Sequence, residues 1–385
     1  MSSWSKALVW SLIAAAFIGP GTVTTAARAG VEGGWHYAVY VALAAAAGFL
    51  LMEMAARLTV VSGQSFGALI GRRAGWLRYG CFGAVLLGCA AYQAGNLLGA
   101  IGGLKLLFPV PGGLVLGVAA VAFALLWFGS TQSVARVLAG LVALMGGLFC
   151  AAALYVVFSG ADLAGDGRVA TGTVVGIIGT TIVPYNFFLA AGLGAGRGLG
   201  DMRRGLAGSF LVGGVLTLSI VLVSSVAPAF TGFADLAAAI SGAVAGAVGM
   251  EGAKGEVLLG VGLFAAGFSS AVTAPLAAAL AGRELLGTGE ARLPTTSPAY
   301  RSIWIGVLAT GTLVALLDLD VVSIIVAAQV ANGLLVPLIA ILVLVLANDR
   351  SILGAEVNGW GRNVLAGGVI LFLLYKSFGV LATIG

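Results

Sequence analysis

Long apolar runs, separated by short polar or glycine-rich breaks, fill the chain from end to end, and few charges interrupt them. A helix that crosses a membrane needs about 20 apolar residues. Runs of that kind predict eleven helices, over residues 8–29, 36–61, 77–107, 113–128, 136–158, 173–196, 206–228, 256–281, 301–317, 321–346 and 361–383. Residues 1–385 read as a single transmembrane domain, with two repeats over about 8–158 and 173–346 and the helix at 361–383 outside them.

Two runs carry a proline at mid-depth, in Ile18-Gly19-Pro20-Gly21-Thr22 and in Ile182-Val183-Pro184-Tyr185-Asn186. Proline removes a backbone hydrogen bond and clashes with the preceding turn, so each helix is predicted to break there. Broken backbone at membrane depth is tolerated where it is buried in protein or lines a cavity. The breaks fall in the first and sixth predicted helices. In inverted repeats of five helices each, those positions are equivalent and face each other at the midplane, where carriers bind cargo. A simple kink is the alternative for each.

Composition fixes the class. The 385 residues are 60% hydrophobic and 9% charged, with a mean hydropathy of +1.11, against about 25% charged in a soluble domain. An all-α, polytopic membrane protein is expected, and the 61 glycines suit close helix packing. Before Pro20 no small-residue cleavage site is evident, so the first run is expected to be retained. Cys81, Cys89 and Cys150 are odd in number and lie in apolar stretches, which gives neither a disulfide framework nor a metal-ligand spacing. The net charge of +5 is spread over many loops and does not form a nucleic-acid patch. With the N-terminus inside, 14 of the 19 Lys and Arg residues face the cytoplasm, which supports that orientation in the cell membrane.

Around the breaks the residues resemble a known family. Gly19-Pro20-Gly21-Thr22 is similar to the Asp-Pro-Gly-Asn of helix one in the Nramp divalent-metal transporters, and Val183-Pro184-Tyr185-Asn186 to their Met-Pro-His-Asn in helix six. Ala55-Ala56-Arg57-Leu58, Val61-Ser62-Gly63, Leu104 to Pro111, Gly267-Phe268-Ser269-Ser270, and Gln329 with Leu335-Val336-Pro337-Leu338 agree as well. The resemblance covers nearly the whole chain. It implies the LeuT-like architecture, ten helices in two inverted repeats plus one, with helices one and six broken.

The same resemblance implies a substrate site at Ala16, Gly19, Pro20, Gly21, Thr22, Thr180, Val183, Pro184, Tyr185, Asn186 and Gln329, with Ala16 and Thr180 contributing backbone carbonyls. The departures fall on the chemistry. The family's aspartate, asparagine and methionine ligands become Gly19, Thr22 and Val183. Its helix-three proton-route acids become Gln93 and Asn96, and its helix-six histidine becomes Tyr185. A transition-metal ion needs anionic or soft ligands, and a dication at the midplane without counter-charge is costly. A proton relay needs groups that titrate near working pH, which amides do not.

Further candidates come from spacing. Gln93 and Asn96 lie one turn apart and serve either as interhelical glue or as substrate contacts. Glu53 and Arg57, spaced i,i+4 near an inner helix end, form a gate pair or a static cap. Ser269, Ser270 and Thr273 resemble the hydroxyls of a sodium site in other LeuT-like carriers, or bond their own helix. The lone histidine, His36, is expected at an outer helix end.

The expected function is alternating-access transport of a small polar or zwitterionic solute through a neutral, roomier site. Uncoupled movement of a hydrated divalent cation such as magnesium is the second reading, and a transport-inactive sensor or interaction protein the third. No metal is assigned. No nucleophile-base pair or metal-ligand cluster is seen, so neither an enzyme nor a cofactor is expected, and the partners are the bilayer and an ion or small molecule. Oligomeric state has no sequence signal.

Overall fold

A computed structural model describes residues 10, 13–14, 18–109, 111, 113–129, 131–227, 232–238, 241, 255–287, 293–317 and 321–384. Every predicted apolar run meets helix. After the first break come α1 (Pro20–Gly33), α2 (Ala38–Ser62), a short α3 (Phe66–Arg73), α4 (Gly75–Leu107), α5 (Leu114–Phe128) and α6 (Thr131–Phe158). The second half holds α7 (Thr171–Thr181), α8 (Pro184–Gly194), α9 (Leu199–Ser224), α10 (Gly255–Leu285), α11 (Pro298–Ala315), α12 (Val321–Ala347), a single turn α13 (Arg350–Leu353) and α14 (Trp360–Ile384).

By length and apolar composition alone, six stretches of the described residues qualify as membrane-crossing helices, or seven with the pair Leu335–Ala347 and Arg350–Glu356, bent by 66°. The count falls short of eleven partly because Pro20–Ser62, which holds both α1 and α2, counts as one stretch, and because Leu114–Phe128 and Trp360–Tyr375 are shorter apolar helices. α5, with 15, is short without a break.

Local chemistry sets the ends. Gly63 closes α2 at φ 68° and donates to Thr59 O at 3.1 Å, a left-handed cap that glycine adopts without strain. Ser297 caps α11 by accepting from Tyr300 N at 3.2 Å, with Pro298 in the first turn. That Ser-Pro pair starts the helix three residues earlier than hydropathy alone indicates.

Both breaks form where expected, but the prolines take a milder role than clashing inside a helix. Pro20 and Pro184 each occupy the first turn of the helix that restarts after the gap, where a missing N–H costs nothing. Ile182 (φ −106°, ψ 90°) and Val183 (φ −102°, ψ 136°) are extended. Both are β-branched, and a residue before proline is pushed out of the helical region. Pro275 and Pro337, by contrast, lie inside the continuous helices α10 and α12.

Small residues bring α4 and α10 together. A side chain on Gly267 would strike the backbone of Ala100 and Asn96, and one on Gly103 the backbone of Gly260 and Phe264. Such close approach is how membrane helices associate without a hydrophobic driving force. On the same helix, Gly99 receives the ring of Pro20, which seats the first break against α4.

Candidate functional site

The two breaks open onto one cavity. Gly19, Gly21, Thr22, Tyr92, Asn96, Thr180, Val183, Tyr185, Ser270 and Gln329 line it. α1 presents its N-terminus here and α7 its C-terminus, so the positive end of one helix dipole and the negative end of another border the same space. The described residues that line the cavity include no carboxylate, imidazole or sulfur.

The expected roominess is absent in this conformation. The free space amounts to about 10 Å³, enough for one water centre. Gln329 fills much of the rest: its carboxamide lies so close over Gly21 that any side chain at 21 would run into it. The Tyr92 hydroxyl on α4 donates to Gly179 O at 3.1 Å and also meets Gln329 Oε1. Helices α4, α7 and α12 are thereby joined across the mouth of α1.

Several polar atoms in this region have no partner among the described residues. They are Ser270 Oγ, Gln329 Nε2 and both amide atoms of Asn186. A buried polar group left unpaired is costly, and such groups mark places where a ligand or water completes the bonding.

Sequence-predicted residues separate into groups. Gly19, Gly21, Thr22, Thr180, Val183, Tyr185 and Gln329 line the cavity together. Pro20 and Pro184 shape the breaks without lining it, and Asn186 is 0% exposed just beyond it. Ala16 lies outside the described residues.

Gln93 and Asn96 take different places. Asn96 lines the cavity, whereas Gln93 is turned into the helix packing, where its Nε2 donates to Ala271 O at 2.9 Å and Gly311 packs on its stem. At i,i+3 the two straddle the edge between the cavity and the helix packing.

The three hydroxyls of α10 also part company. Ser269 Oγ donates to Ala266 O at 3.1 Å and Thr273 Oγ1 to Ser269 O at 2.8 Å, so both bond their own helix. Ser270 alone faces the cavity.

Away from the cavity, charged clusters tie the helix ends. Arg57 is 0% exposed. It donates to Glu356 O at 2.7 Å and to Asn358 Oδ1, with Glu53 Oε2 3.5 Å from its Nε. Arg203 of α9 donates to Glu53 Oε1 at 2.8 Å and to Glu356 Oε2 at 3.3 Å. The expected Glu53–Arg57 pair is thus part of a larger network that joins α2, α9 and the turn before α14.

At the other end, Glu32 accepts from Arg28 Nε at 2.8 Å, Tyr37 OH at 3.0 Å and Thr173 Oγ1 at 2.6 Å, which links α1 to α7. His36 lies beside this cluster, stacked on Trp35, with ring centroids 4.3 Å apart.

Tyr92 and Glu32 escaped the sequence reading. Tyr92 precedes Asn96 by four residues and so shares its helix face, a signal that was available. For Glu32 the i,i+4 spacing to Arg28 was a local signal, whereas its partner Thr173 is 141 residues away.

Comparison with known proteins agrees with this architecture. The model of the Nramp family, described as natural resistance-associated macrophage protein-like, matches residues 11–383. The divalent metal cation transporter MntH of Yersinia pestis (strain Pestoides F) is 25% identical, over 94% of this chain and 91% of that protein. A mutant manganese transporter of Eremococcus coleocola, solved by crystallography, superposes with a TM-score of 0.79 at 18% identity, covering 100% of this chain and 88% of that one. Mhp1, a nucleobase-cation-symport-1 family transporter in a closed conformation with bromovinylhydantoin bound, superposes at 0.59 with 14% identity, over 98% and 92% of the two chains. The apolar helices, the paired breaks and the match over residues 11–383 together place this chain in the Nramp family.

Proposed function

We propose that this membrane protein is an alternating-access carrier of a small polar or zwitterionic solute and is neither a proton-coupled transition-metal transporter nor an enzyme. The carrying observation is the cavity between the breaks, where opposed half-helix ends and neutral donors and acceptors converge without an anionic or soft ligand. A manganese or iron ion there would lose its hydration shell and gain only neutral oxygens. A solute that both donates and accepts hydrogen bonds would instead satisfy Ser270 Oγ and Gln329 Nε2. Gln93 and Asn96 cannot titrate, which removes a proton route through α4.

The free space of about 10 Å³ belongs to a closed state. In this reading cargo enters when Gln329 and Tyr92 part, and the Glu32 and Glu53 clusters hold the two ends in turn. The fold admits organic cargo, as the hydantoin-bound Mhp1 shows of itself. The N-terminus is taken as cytoplasmic and the membrane as the cell membrane, from the distribution of Lys and Arg.

A second reading keeps an ion, a hydrated divalent cation such as magnesium moving downhill. It is favoured by the name of the MntH relative and by the carbonyl end of α7. A thermal-shift screen of the detergent-solubilised protein against metals and metabolites separates the two, because a ligand that binds only the folded state raises its midpoint. Stabilisation by metabolites supports the first reading. Stabilisation by magnesium alone supports the second.

A further inference from the structure

The helix that restarts at the first break has no side-chain cap. Gly19 stands at its N-cap position in extended conformation (φ −131°, ψ −174°) and brings no side chain to bond the first turn. Aspartate, asparagine, serine and threonine are favoured there because their side-chain oxygens accept from the second or third backbone N–H. Pro20 has no N–H to offer. The amide of Gly21 therefore heads the helix with no carbonyl of α1 behind it, at the positive end of a 14-residue dipole.

A second, independent group points to the same place. Ser270 Oγ, on a different helix, stands 2.5 Å from the point a Cβ on Gly19 would occupy. It is 4% exposed, lines the cavity and has no partner among the described residues. A hydroxyl beside a helix N-terminus offers its proton to an anion.

We propose that the Gly21 amide and the Ser270 hydroxyl form a carboxylate subsite, in which the cargo's own carboxylate takes the cap position that Gly19 leaves empty. The cargo's cationic group then faces the carbonyl end of α7. The cargo class is thereby narrowed to small amino acids and related zwitterions. This rests on the polar-solute reading above and goes beyond it by requiring the acid group.

The test uses the full chain purified in detergent. Its thermal midpoint is recorded with each of the twenty common amino acids, with the carboxamide of each, and with uncharged polyols and nucleobases. The expected result is stabilisation by one or more amino acids, with the matching carboxamides binding about tenfold or more weakly, since a hydrogen bond to a charged group is the stronger kind. Ser270→Ala should weaken the amino acid about tenfold. Gly19→Asp sets a carboxylate at the cap position and displaces the Ser270 hydroxyl, which stands 2.5 Å from the new Cβ, so it should abolish the amino-acid response. If Gly19→Asp does not fold, Ser270→Ala still decides the point. Equal response to an acid and its carboxamide, or response to polyols or nucleobases alone, would overturn the carboxylate subsite and leave the polar-solute reading standing. Silence across all three groups would overturn both.

Discussion

The Tyr92 hydroxyl donates to the Gly179 carbonyl at 3.1 Å and ties α4 to the last turn of the helix that ends at the second break. The same oxygen meets Gln329 Oε1 from α12. One phenol therefore closes three helices over the cavity. Tyr92→Phe removes that proton and leaves a buried carbonyl and a buried amide short of a partner, a cost of about 1–3 kcal/mol. A lowered thermal midpoint and faster modification of a cysteine placed at Thr22 are expected. An unchanged midpoint would show that the hydroxyl carries no closing role.

Gln329 and Gly21 are predicted to be coupled. A methyl at 21 would collide with the Gln329 carboxamide, so Gly21→Ala should impair closure. Combining it with Gln329→Ala vacates the same space. The double variant should recover part of the loss, with a coupling of about 0.5–3 kcal/mol measured from midpoints of all four proteins. Strict additivity would contradict this packing.

The Glu53–Arg57–Arg203 network predicts an order of effects. Glu53 is 5% exposed and Arg57 0%, whereas Arg203 is 34% exposed. Glu53→Gln strands a buried guanidinium, which costs about 3–5 kcal/mol when the partner of a buried pair is lost. Arg203→Met removes a partly solvated partner and should cost less. Equal losses in midpoint would show that burial does not rank these contacts.

Glu32 should hold the opposite end. Its carboxylate receives Thr173 and Tyr37, and the backbone beside it is laced to the following segment by Trp35 N to Leu163 O at 2.8 Å and Arg168 N to Glu32 O at 2.8 Å. Glu32→Ala should loosen residues 163–168, seen as faster amide hydrogen exchange there with little change near Arg57. Unaltered exchange would assign the tether to the backbone alone.

Most of the fold was legible because hydrophobic run length and mid-run proline are local signals. The lengths gave each helix, and Pro20 and Pro184 gave the breaks. Pro275 and Pro337 show the limit of the rule: both lie inside continuous helices, although β-branched Val336 stands before Pro337 just as Val183 stands before Pro184. The site was legible in its chemistry and less so in its geometry. Gly19, Thr22 and Val183 announced a neutral cavity, but which face of α4 looks into it depends on a helix rotation that hydropathy cannot set in a span buried on most sides. Asn96 lines the cavity while Gln93, named with it, faces elsewhere, and Tyr92 was passed over. Ser270 likewise differs from Ser269 and Thr273 only by its rotation about α10. Gln329 was assigned to the site from the family resemblance, but the volume it fills follows from where it packs, over Gly21.

The central claim, that the lost ligands have removed transition-metal transport and its proton coupling, is tested most directly by reconstituting the protein in liposomes and recording manganese uptake together with internal pH. The predicted result is no manganese flux above empty liposomes and no change in internal pH. Manganese uptake accompanied by internal acidification would contradict the account.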